Sequence, residues 1–505
     1  MLSSQRFAID AIRTSFLQHD GLPFSNVLSA DEIDVALSVP ETADSPGNSD
    51  AQPVIYTPAV TLWAFLSQML YKKELRSCQA AVERVITWLE TAGLKTPSDN
   101  TGTYCRARAR LPLSGLQGLV RTVADGCEHE VAQNCEQWKW HGRRVQLIDG
   151  STFSMPDTAA NQLAYPQHGA QKAGVGFPVV RAVMLISMAT GIINDLAMGK
   201  YMGKETGETA LFRELMERLS REDVVVADRY YAGWWTIAIL NQRGVDIVTR
   251  LHQHRTADFR QGTQLGRQDH IVEWRRPARP KWLDNKTYES LPETLRVREL
   301  QVQVEEAGFR TRSLIVVTTL TDGEEYSSDD LAALYRQRWQ IEIDVRWLKC
   351  TLDLDVLRAQ SPEMVRKELW AGLLAANLIR RLILQAALGT DRTPREISFT
   401  AVLQKVVANF QTILQLDQSG QVRVINRPLK ALLRHRIGHR PNRVEPRAIK
   451  RRPKSQKLLN EPRDQARARL AVVPDGTEVP HSPDAIEAAN KLLQSEMQKQ
   501  TLAST

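Results

Sequence analysis

The chain has 505 residues, 42% of them hydrophobic, which is enough for about three domains with buried cores. Lysine and arginine outnumber aspartate and glutamate by 66 to 58, and the net charge of +8 favours a polyanionic partner. Five cysteines without a Cys-x-x-Cys pair argue against disulfides and a zinc ribbon. Because no signal segment and no run of bilayer-spanning length occurs, we expect a cytoplasmic protein without a membrane partner.

The N-terminal part of the chain divides into two segments. Residues 1–58 begin with a predicted helix around 7–17 and end in a polar linker that contains proline and glycine. Residues 59–137 show apolar residues at helical spacing, interrupted by TAGLKTPSDN. This segment is therefore predicted to form a small helical domain.

Three arginines lie close together within the helical segment, at Arg106, Arg108 and Arg110. An arginine-rich helix suits insertion into a groove of DNA, and we expect all three to contact DNA. The alternative is pairing within the protein, with Asp99, Glu128 or Glu130.

From residue 138 the pattern changes to alternating strands and helices, which predicts an α/β domain over 138–251 and 328–390. Strands are predicted at 144–149, 179–188, 191–199, 224–228 and 246–251, with helices at 207–219 and 234–242. Asp149 directly follows the first strand, where a turn is expected, and Asp228 closes the fourth. Because carboxylates at the ends of neighbouring strands converge in open α/β sheets, we expect these acids to share a site.

Residues 252–327 have a β-rich pattern, with predicted strands at 295–304 and 312–319. Trp274 and Trp282 are flanked there by arginines and lysine, a combination that suits stacking on unstacked nucleotides. Trp274 is the predicted DNA contact. The alternative is that either tryptophan fills a small β core.

The stretch YRQRWQIEIDVRWLK places Tyr335, Arg338, Glu342 and Lys349 at relative positions 0, 3, 7 and 14. At about 100° per residue, these side chains share one narrow face of a helix. Beside Asp149 and Asp228, Glu342 completes three carboxylates, as a site for two Mg²⁺ ions and phosphodiester chemistry requires. The alternative is a surface helix with salt bridges, for which Arg338 and Glu342 have the right spacing.

Three other acids compete for a role in the site. Asp344 lies about 160° around the helix from Glu342 and is expected to face away. Glu205 and Glu208 precede or open the helix at 207–219, and we expect them to serve its positive end.

The C-terminal segment, residues 391–505, is predicted to be helical and basic, with a further helix near 484–499. Between Arg423 and Lys457, thirteen cations face the single acid Glu445, which predicts strong, salt-dependent affinity for phosphates. The DNA contacts selected here are Arg440, Arg443, Arg451 and Arg452. Prolines in this stretch argue against one long helix and favour an extended strap along a duplex. The alternative is a solvated tail.

The Tyr-x2-Arg-x3-Glu-x6-Lys pattern, with IDGSTFSMPD and VVVADRYYAGW around the two aspartates, resembles the DDE transposases of bacterial insertion sequences. The family is the one called insertion sequence four, and the resemblance runs from about residue 55 to 455. It implies an α/β fold with an RNase H-like catalytic core interrupted by the β-rich insertion, an N-terminal helical DNA-binding domain and a helical basic C-terminal region.

The resemblance also implies a function. The protein would bind the terminal inverted repeats of its element through residues 59–137 and move the element by cut-and-paste transposition through a hairpin intermediate. Asp149, Asp228 and Glu342 would hold two Mg²⁺ ions, for which Mn²⁺ would substitute. Partners would be double-stranded DNA, both element ends and target, and a second copy of the chain in the synaptic complex, so that the protein would be nucleoid-associated.

Two other functions remain open on sequence alone. A structure-selective RNase H-like nuclease would use the same carboxylates but would cut without regard to terminal repeats. A DNA-binding protein descended from a transposase would lack catalysis, although an intact set of three acids with the signature argues against it.

Overall fold

The computed structural model describes residues 30–37, 55–91, 93–303, 313–415, 433 and 458–471. The predicted helices at 7–17 and 484–499 and nearly all of the basic stretch at 423–457 lie outside these residues, as do Arg440, Arg443, Arg451 and Arg452. The chain forms two compact units: one comprises 1–168 with 177–449, and the other comprises 169–176 with 450–505. The second unit contains one described helix, Arg463–Ala471.

Among the described residues, five α-helices precede the sheet; the last four agree with the helical periodicity of residues 59–137, whereas the first was not predicted. They are α1 (Ala30–Leu37), α2 (Pro58–Leu70), α3 (Cys78–Thr91), α4 (Thr101–Arg110) and α5 (Leu113–Asn134). The start of α2 is fixed by Pro58 in its first turn and by Thr57, whose side chain accepts a hydrogen bond from the Val60 N–H.

A nine-stranded sheet forms the centre of the first unit, in the order β3-β2-β1-β4-β5-β9-β8-β7-β6. Its strands are β1 (Val145–Ser154), β2 (Val179–Ser187), β3 (Ile193–Lys200), β4 (Val224–Ala227), β5 (Asp246–Arg250), β6 (Thr263–Gly266), β7 (Asp269–Arg275), β8 (Thr294–Gln303) and β9 (Ser313–Thr318). The first three are antiparallel, whereas β4 and β5 run parallel to β1 and to each other. Strand β9 continues the sheet from β5, so that β6–β9 extend it without a break.

The first strand is longer than the sequence predicts, and the expected turn after Asp149 is wrong. Strand β1 continues through Gly150 and Ser151 to Ser154, because β2 pairs with it along this whole length. Its pairing with β4, in contrast, stops at Leu147. Asp149 therefore lies inside a strand, at the point where that strand passes the end of its parallel neighbour.

Helices cover both faces of the sheet. The helices α1–α5 share one hydrophobic core with α12 (Pro362–Ala387) and the strand residues Leu147, Met184 and Val226. On the other face, α7 (Glu208–Leu215) and α8 (Trp234–Gln242) pack against Ile148, Val183 and Val225. The short helices α6 (Ala159–Ala164) and α9 (Asn285–Ser290) lie in connections.

The signature stretch is not the single uninterrupted helix that its spacing suggests. It consists of α10 (Ser328–Arg336), α11 (Trp339–Arg346) and a π-helical turn at Trp347–Thr351. At the junction, the N–H groups of Gln337 and Arg338 bond carbonyls three residues back, which tightens the chain by a turn of 3₁₀ type. Both residues keep right-handed helical dihedrals, so the chain stays helical in conformation between α10 and α11.

Helix α12 is followed by α13 (Phe399–Gln415). Within the described residues, α12 is long and apolar enough by length and composition to cross a membrane, but 94% of its most apolar window is buried inside the protein. Burial of this kind is what the core helix of a globular domain shows.

Candidate functional site

Asp149 and Asp228 lie at the same level on neighbouring parallel strands. The register of β1 and β4 pairs Val145 with Val224 and Leu147 with Val226. Carrying the same offset two residues further places Asp149 beside Asp228. The convergence expected from the sequence therefore arises from strand register, with one acid inside a strand and the other just beyond one.

The surroundings of Asp149 disfavour the charged form of its carboxyl group. Burial, assisted by the charges of Asp228 and Glu208, raises its pKa to about 7. The N–H of Gly150, which donates to Asp149 Oδ1 at 2.8 Å, and the charge of Arg338 act on this pKa in the opposite direction. Three acids are thus near one another, and the cation acting on Asp149 is Arg338.

Asp228 is held at the start of a short 3₁₀ turn, Arg229–Tyr231. Its Oδ1 accepts a hydrogen bond from the Tyr230 N–H at 2.7 Å, and its carbonyl accepts one from the Thr249 hydroxyl at 2.6 Å. These contacts leave the second carboxylate oxygen available at the strand end. The Tyr230 side chain next to it is 63% exposed.

Glu342 is connected to Asp149 through Arg338. The Arg338 guanidinium donates to Glu342 Oε1 at 2.8 Å, which is the i, i+4 pair that the sequence allowed as an alternative. Burial opposes the charge of Arg338, but Tyr335, Glu342 and Asp149 together raise its pKa. Arg338 therefore bonds Glu342 and is close enough to Asp149 to affect its pKa, with the buried Tyr335 nearby.

In the described part of the chain, no three residues among His, Cys, Asp and Glu are close enough to hold one metal ion. The structure brings Asp149 and Asp228 together, whereas Glu342 is paired with Arg338. The assignment of these three acids as metal ligands stays a prediction.

The orientation of α11 is set by Asp344, on the face opposite Glu342. Asp344 is 4% exposed and accepts hydrogen bonds from Arg380 at 2.6 Å and from Arg395 at 2.7 Å. Burial lowers the pKa of Arg380 to about 9, and Asp344 opposes this shift. The expectation that Asp344 faces away from the site agrees with this position.

The fourth residue of the signature, Lys349, lies in the π-helical turn. Its Nζ is 3.1 Å from Asp355 Oδ1 and lies 5.3 Å from the centre of the Phe153 ring. The Lys349 side chain is 22% exposed. Its assignment as a DNA contact stays a prediction, because its present partner is an acid of the same chain.

The three arginines of α4 point in different directions. Arg106 and Arg110 are exposed, whereas Arg108 is packed between the rings of Phe65 and Tyr104 and donates to Gln68 Oε1 at 2.9 Å. In the described part of the chain none of them pairs with Asp99, Glu128 or Glu130, and Glu130 pairs with Arg381 instead. The exposed pair is therefore accessible to DNA.

Trp274 is a core residue of the β-rich region, as the alternative interpretation allowed. It is 6% exposed, and its indole N–H donates to Glu299 at 2.9 Å. The Arg255 guanidinium lies 3.8 Å from the centre of its ring. Trp282 is half-buried under Arg213. The stacking role of Trp274 stays a prediction, although the ring is buried here.

Sequence reasoning underrated Glu208. Its carboxylate lies directly over Gly150, and a Cβ atom at that position would be 2.3 Å from Glu208 Cδ. Burial, followed by the charges of Glu208, Asp149 and Asp228, raises the pKa of Tyr231, whose hydroxyl lies against Glu208. The signal that could have located Glu208 is its place at the start of the helix that follows the third strand.

The chain is similar to known transposases. Residues 140–378 match the family model described as "Transposase DDE domain", a range that includes both aspartates and the whole signature. Transposase InsG of insertion sequence element IS4 from Escherichia coli (strain K12) is 26% identical over 361 residues, which are 68% of this chain and 77% of InsG. The chain is a transposase with a DDE domain.

Other similar proteins are also transposases. The transposase of insertion sequence element IS421 from Escherichia coli is 44% identical over 70 residues, which cover 14% of this chain and 19% of that protein. A cryo-EM structure of a piggyBac transposase synaptic complex with hairpin DNA covers 83% of this chain and 84% of its own, at 8% identity and a TM-score of 0.39. That TM-score is too low to support an inference about this transposase. The matched domain and these relatives indicate a transposase that acts on DNA.

Proposed function

We propose that this transposase binds the terminal inverted repeats of its insertion sequence and performs metal-dependent DNA cleavage and strand transfer with Asp149, Asp228 and Glu342. The observation that supports the proposal is the register of β1 and β4, in which Asp149 is level with Asp228, together with the bond of Glu342 to Arg338, whose charge acts on Asp149. The proposal requires Glu342, which comes last of the three acids in the chain, to join Asp149 and Asp228 at this edge of the sheet.

The donor set fits divalent cations. Carboxylate oxygens are the ligands that Mg²⁺ prefers, and Mn²⁺ accepts the same set. Asp149 bears charge repulsion from Asp228 and Glu208, which a bound cation would relieve. Glu342 would have to exchange Arg338 for the cation, since their ion pair is the present contact of its carboxylate. We propose two Mg²⁺ ions, with Asp149 shared between them.

The chemistry follows from charge. Two divalent ions would stabilise the negative charge that develops on the phosphodiester oxygens during in-line attack. Arg338, released from Glu342, would hold the phosphate next to the scissile bond, and Lys349 would act similarly. Tyr335 supports Arg338 from the buried side. Asp344 keeps α11 in the orientation that directs Glu342 inward.

The remaining parts of the chain have proposed roles that come from family resemblance. The helical segment 59–137 would recognise the inverted repeats, with Arg106 and Arg110 exposed for this purpose. Strands β6–β9, which follow Asp228 and precede Glu342 in the chain, would form the insertion that approaches the DNA end. A hairpin intermediate and a homodimeric synaptic complex complete the proposed cut-and-paste cycle, which takes place at the nucleoid in the cytoplasm.

The test uses labelled duplexes that carry the ends of the element, incubated with the full chain and Mg²⁺ or Mn²⁺. We expect nicking at the element boundary by the wild type and its loss, by at least a hundredfold, in Glu342→Gln. Duplex binding should change less than threefold. The matched control is Glu325→Gln, because Glu325 is exposed and lies before α10. Equal nicking by wild type and Glu342→Gln would remove Glu342 from the site.

A structure-selective nuclease is the second candidate function, since it would use the same carboxylates. It is distinguished by substrate: branched or flapped DNA without terminal repeats would be cut as well as element ends. Cleavage restricted to duplexes with the repeats supports transposition.

A further inference from the structure

The packing of α3 against α4 brings together two cysteines that lie 27 positions apart in the sequence. Cys78 is the first residue of α3, and Cys105 lies in the middle of α4. Both thiols are free and half-buried, and they are within hydrogen-bonding reach of one another. Their spacing in the sequence gave no sign of this contact, because it depends on how the two helices pack.

One buried glutamine fixes the position of Cys78 against α4. Gln68 Nε2 donates to Cys78 Sγ at 3.8 Å. Gln68 Oε1 accepts hydrogen bonds from the Tyr104 hydroxyl at 2.5 Å and from Arg108 at 2.9 Å. Tyr104 precedes Cys105 on α4, and Arg108 lies one turn after it. Gln68 therefore holds the Cys78 thiol at the level of Cys105.

A cavity of about 200 Å³ lies on the Cys78 side of the pair. Its lining includes Cys78, Gln68 and Met69 together with the guanidinium groups of Arg76 and Arg108. Hydrogen peroxide is little larger than a water molecule, whose share of liquid volume is about 30 Å³, so it fits this cavity. A small oxidant can therefore reach the Cys78 sulfur.

The charge state of Cys105 indicates the order of reaction. Burial, followed by the charge of Cys78 and a hydrogen bond with its thiol, raises the pKa of Cys105, whereas Arg108 acts on this pKa in the opposite direction. The thiolate is the nucleophilic form of cysteine, so a thiol that stays protonated at neutral pH reacts slowly with peroxide. Cys78, which lines the cavity, is therefore the residue that reacts first.

We propose that Cys78 and Cys105 form a reversible oxidation site, at which hydrogen peroxide joins α3 to α4 through a disulfide. In the first step the Cys78 sulfur attacks one peroxide oxygen and the O–O bond breaks, which gives Cys78 sulfenic acid and one water. In the second step the Cys105 sulfur attacks the Cys78 sulfur, and the hydroxyl leaves with the Cys105 proton as a second water. Two thiols are oxidised, and one peroxide is reduced to two waters.

The cross-link would act on the helix that carries Arg106 and Arg110, for which DNA binding is proposed. It would fix α4 relative to the start of α3, because residues 79–104 would be closed into a loop. Disulfides that form in reducing compartments are usually transient and serve catalysis or redox sensing. The oxidation itself does not depend on the proposed function.

The test uses the full chain with Cys350→Ser, because Cys350 is exposed and would react with peroxide by itself. Of the five cysteines this background keeps four, and peroxide should lower the count of free thiols from four to two. Peptide mapping under non-reducing conditions should find Cys78 joined to Cys105. Dithiothreitol should restore all four thiols.

Thermal unfolding gives a second measurement. The oxidised chain should have a Tm higher than the reduced chain by at least about 2 °C, because the cross-link restricts the unfolded state. In Cys105→Ser, peroxide should leave Tm unchanged, and dimedone should trap Cys78 as its sulfenic acid. Cys105→Ala serves the same purpose if the buried serine hydroxyl prevents folding.

Three results would overturn the proposal. The first is oxidation of Cys78 to the sulfinic acid while Cys105 stays a free thiol. The second is a main product in which Cys78 pairs with Cys127 or Cys135, which are both buried. The third is the same mixture of pairings from the folded chain as from the chain unfolded in urea, since the fold would then contribute nothing to the choice of partner.

Discussion

At the scale of single residues, Asp149 is the clearest example of function opposing stability. The folded protein holds its pKa near 7, whereas the ordinary value is near 3.8. Between these pH values the folded state binds a proton that the unfolded chain has released, so stability falls as pH rises through this window. The folded protein therefore disfavours the charged form of the Asp149 carboxyl group, and a bound cation would offset this effect.

Removing this charge should therefore stabilise the metal-free protein. We expect Asp149→Asn to raise Tm by several degrees in EDTA at pH 8, with a smaller gain at pH 5, where the wild-type carboxyl is protonated in the folded state. Scanning calorimetry at both pH values measures this. Asp391→Asn, at an exposed position, serves as the control. A lower Tm for Asp149→Asn at pH 8 would contradict the electrostatic account.

Trp274 illustrates a residue whose chemistry suits two roles. It packs in the core of the β-rich region and donates to the buried Glu299. Trp274→Ala is expected to cost about 3–5 kcal/mol of unfolding free energy, the usual cost of removing a buried aromatic ring. Chemical denaturation measures this cost.

The control for Trp274 is another aromatic near the site. Tyr230 is 63% exposed, so Tyr230→Ala should change the unfolding free energy by less than about 0.5 kcal/mol. If Trp274→Ala were as stable as the wild type but failed to cleave element ends, the stacking role predicted from the sequence would be favoured.

At the scale of elements, the buried ion pairs of Asp344 fix α11, the helix that carries Glu342. Asp344→Asn leaves Arg380 and Arg395 without their acid, and losing one partner of a buried pair costs about 3–5 kcal/mol. The expected result is a large loss of stability and weaker Mn²⁺ binding, since Glu342 is no longer held inward. Urea unfolding and Mn²⁺ titration measure the two effects.

An exposed ion pair in the same region provides the comparison. Asp355 pairs with Lys349 but is 62% exposed, so Asp355→Asn should cost no more than about 1 kcal/mol. Equal losses in Asp344→Asn and Asp355→Asn would show that burial of the Asp344 pair does not determine the orientation of α11.

Local patterns predicted most elements of the catalytic sheet closely. The strand predicted at 179–188 is Val179–Ser187, and the helix predicted at 234–242 is Trp234–Gln242. These elements have continuous apolar runs or helical spacing bounded by turn residues, so the information lies within each segment.

What the sequence could not supply depends on distant partners. Strand β1 passes through Gly150 and Ser151, which read as a turn, because β2 pairs with them. The π-helical turn after α11 lies where Trp347 stacks on Phe399, a residue far along the chain. Glu208 reaches Asp149 only once three strands are ordered side by side. The three signature acids were recognised by motif, but the present pairing of Glu342 with Arg338 was visible only as an alternative.

At the scale of the whole molecule, charge decides how DNA is held. Thirteen cations and one acid lie between Arg423 and Lys457, so positive charge is dense in this stretch. The edge of the sheet that carries Asp149 and Asp228 is acidic. A DNA phosphate at that edge would be repelled by Asp149 and Asp228 unless cations neutralised their charge. Binding therefore has to come from cations elsewhere in the chain, and the basic stretch carries the highest density of them.

This division predicts a separation of binding from cleavage. Replacing Arg440, Arg443, Arg451 and Arg452 by glutamine should make the slope of log K against log salt less steep. The change should be about 0.9 for each phosphate that the variant no longer neutralises, or roughly three to four in total. Cleavage at saturating protein should stay within a few-fold of the wild type, because the carboxylates are untouched. Fluorescence anisotropy over a series of salt concentrations measures the slope. As a control, arginine-to-lysine replacement at the same positions keeps the charge and should leave the slope unchanged. An unchanged slope in the glutamine variant would contradict the prediction and indicate that other cations, such as Arg106 and Arg110, bind the DNA.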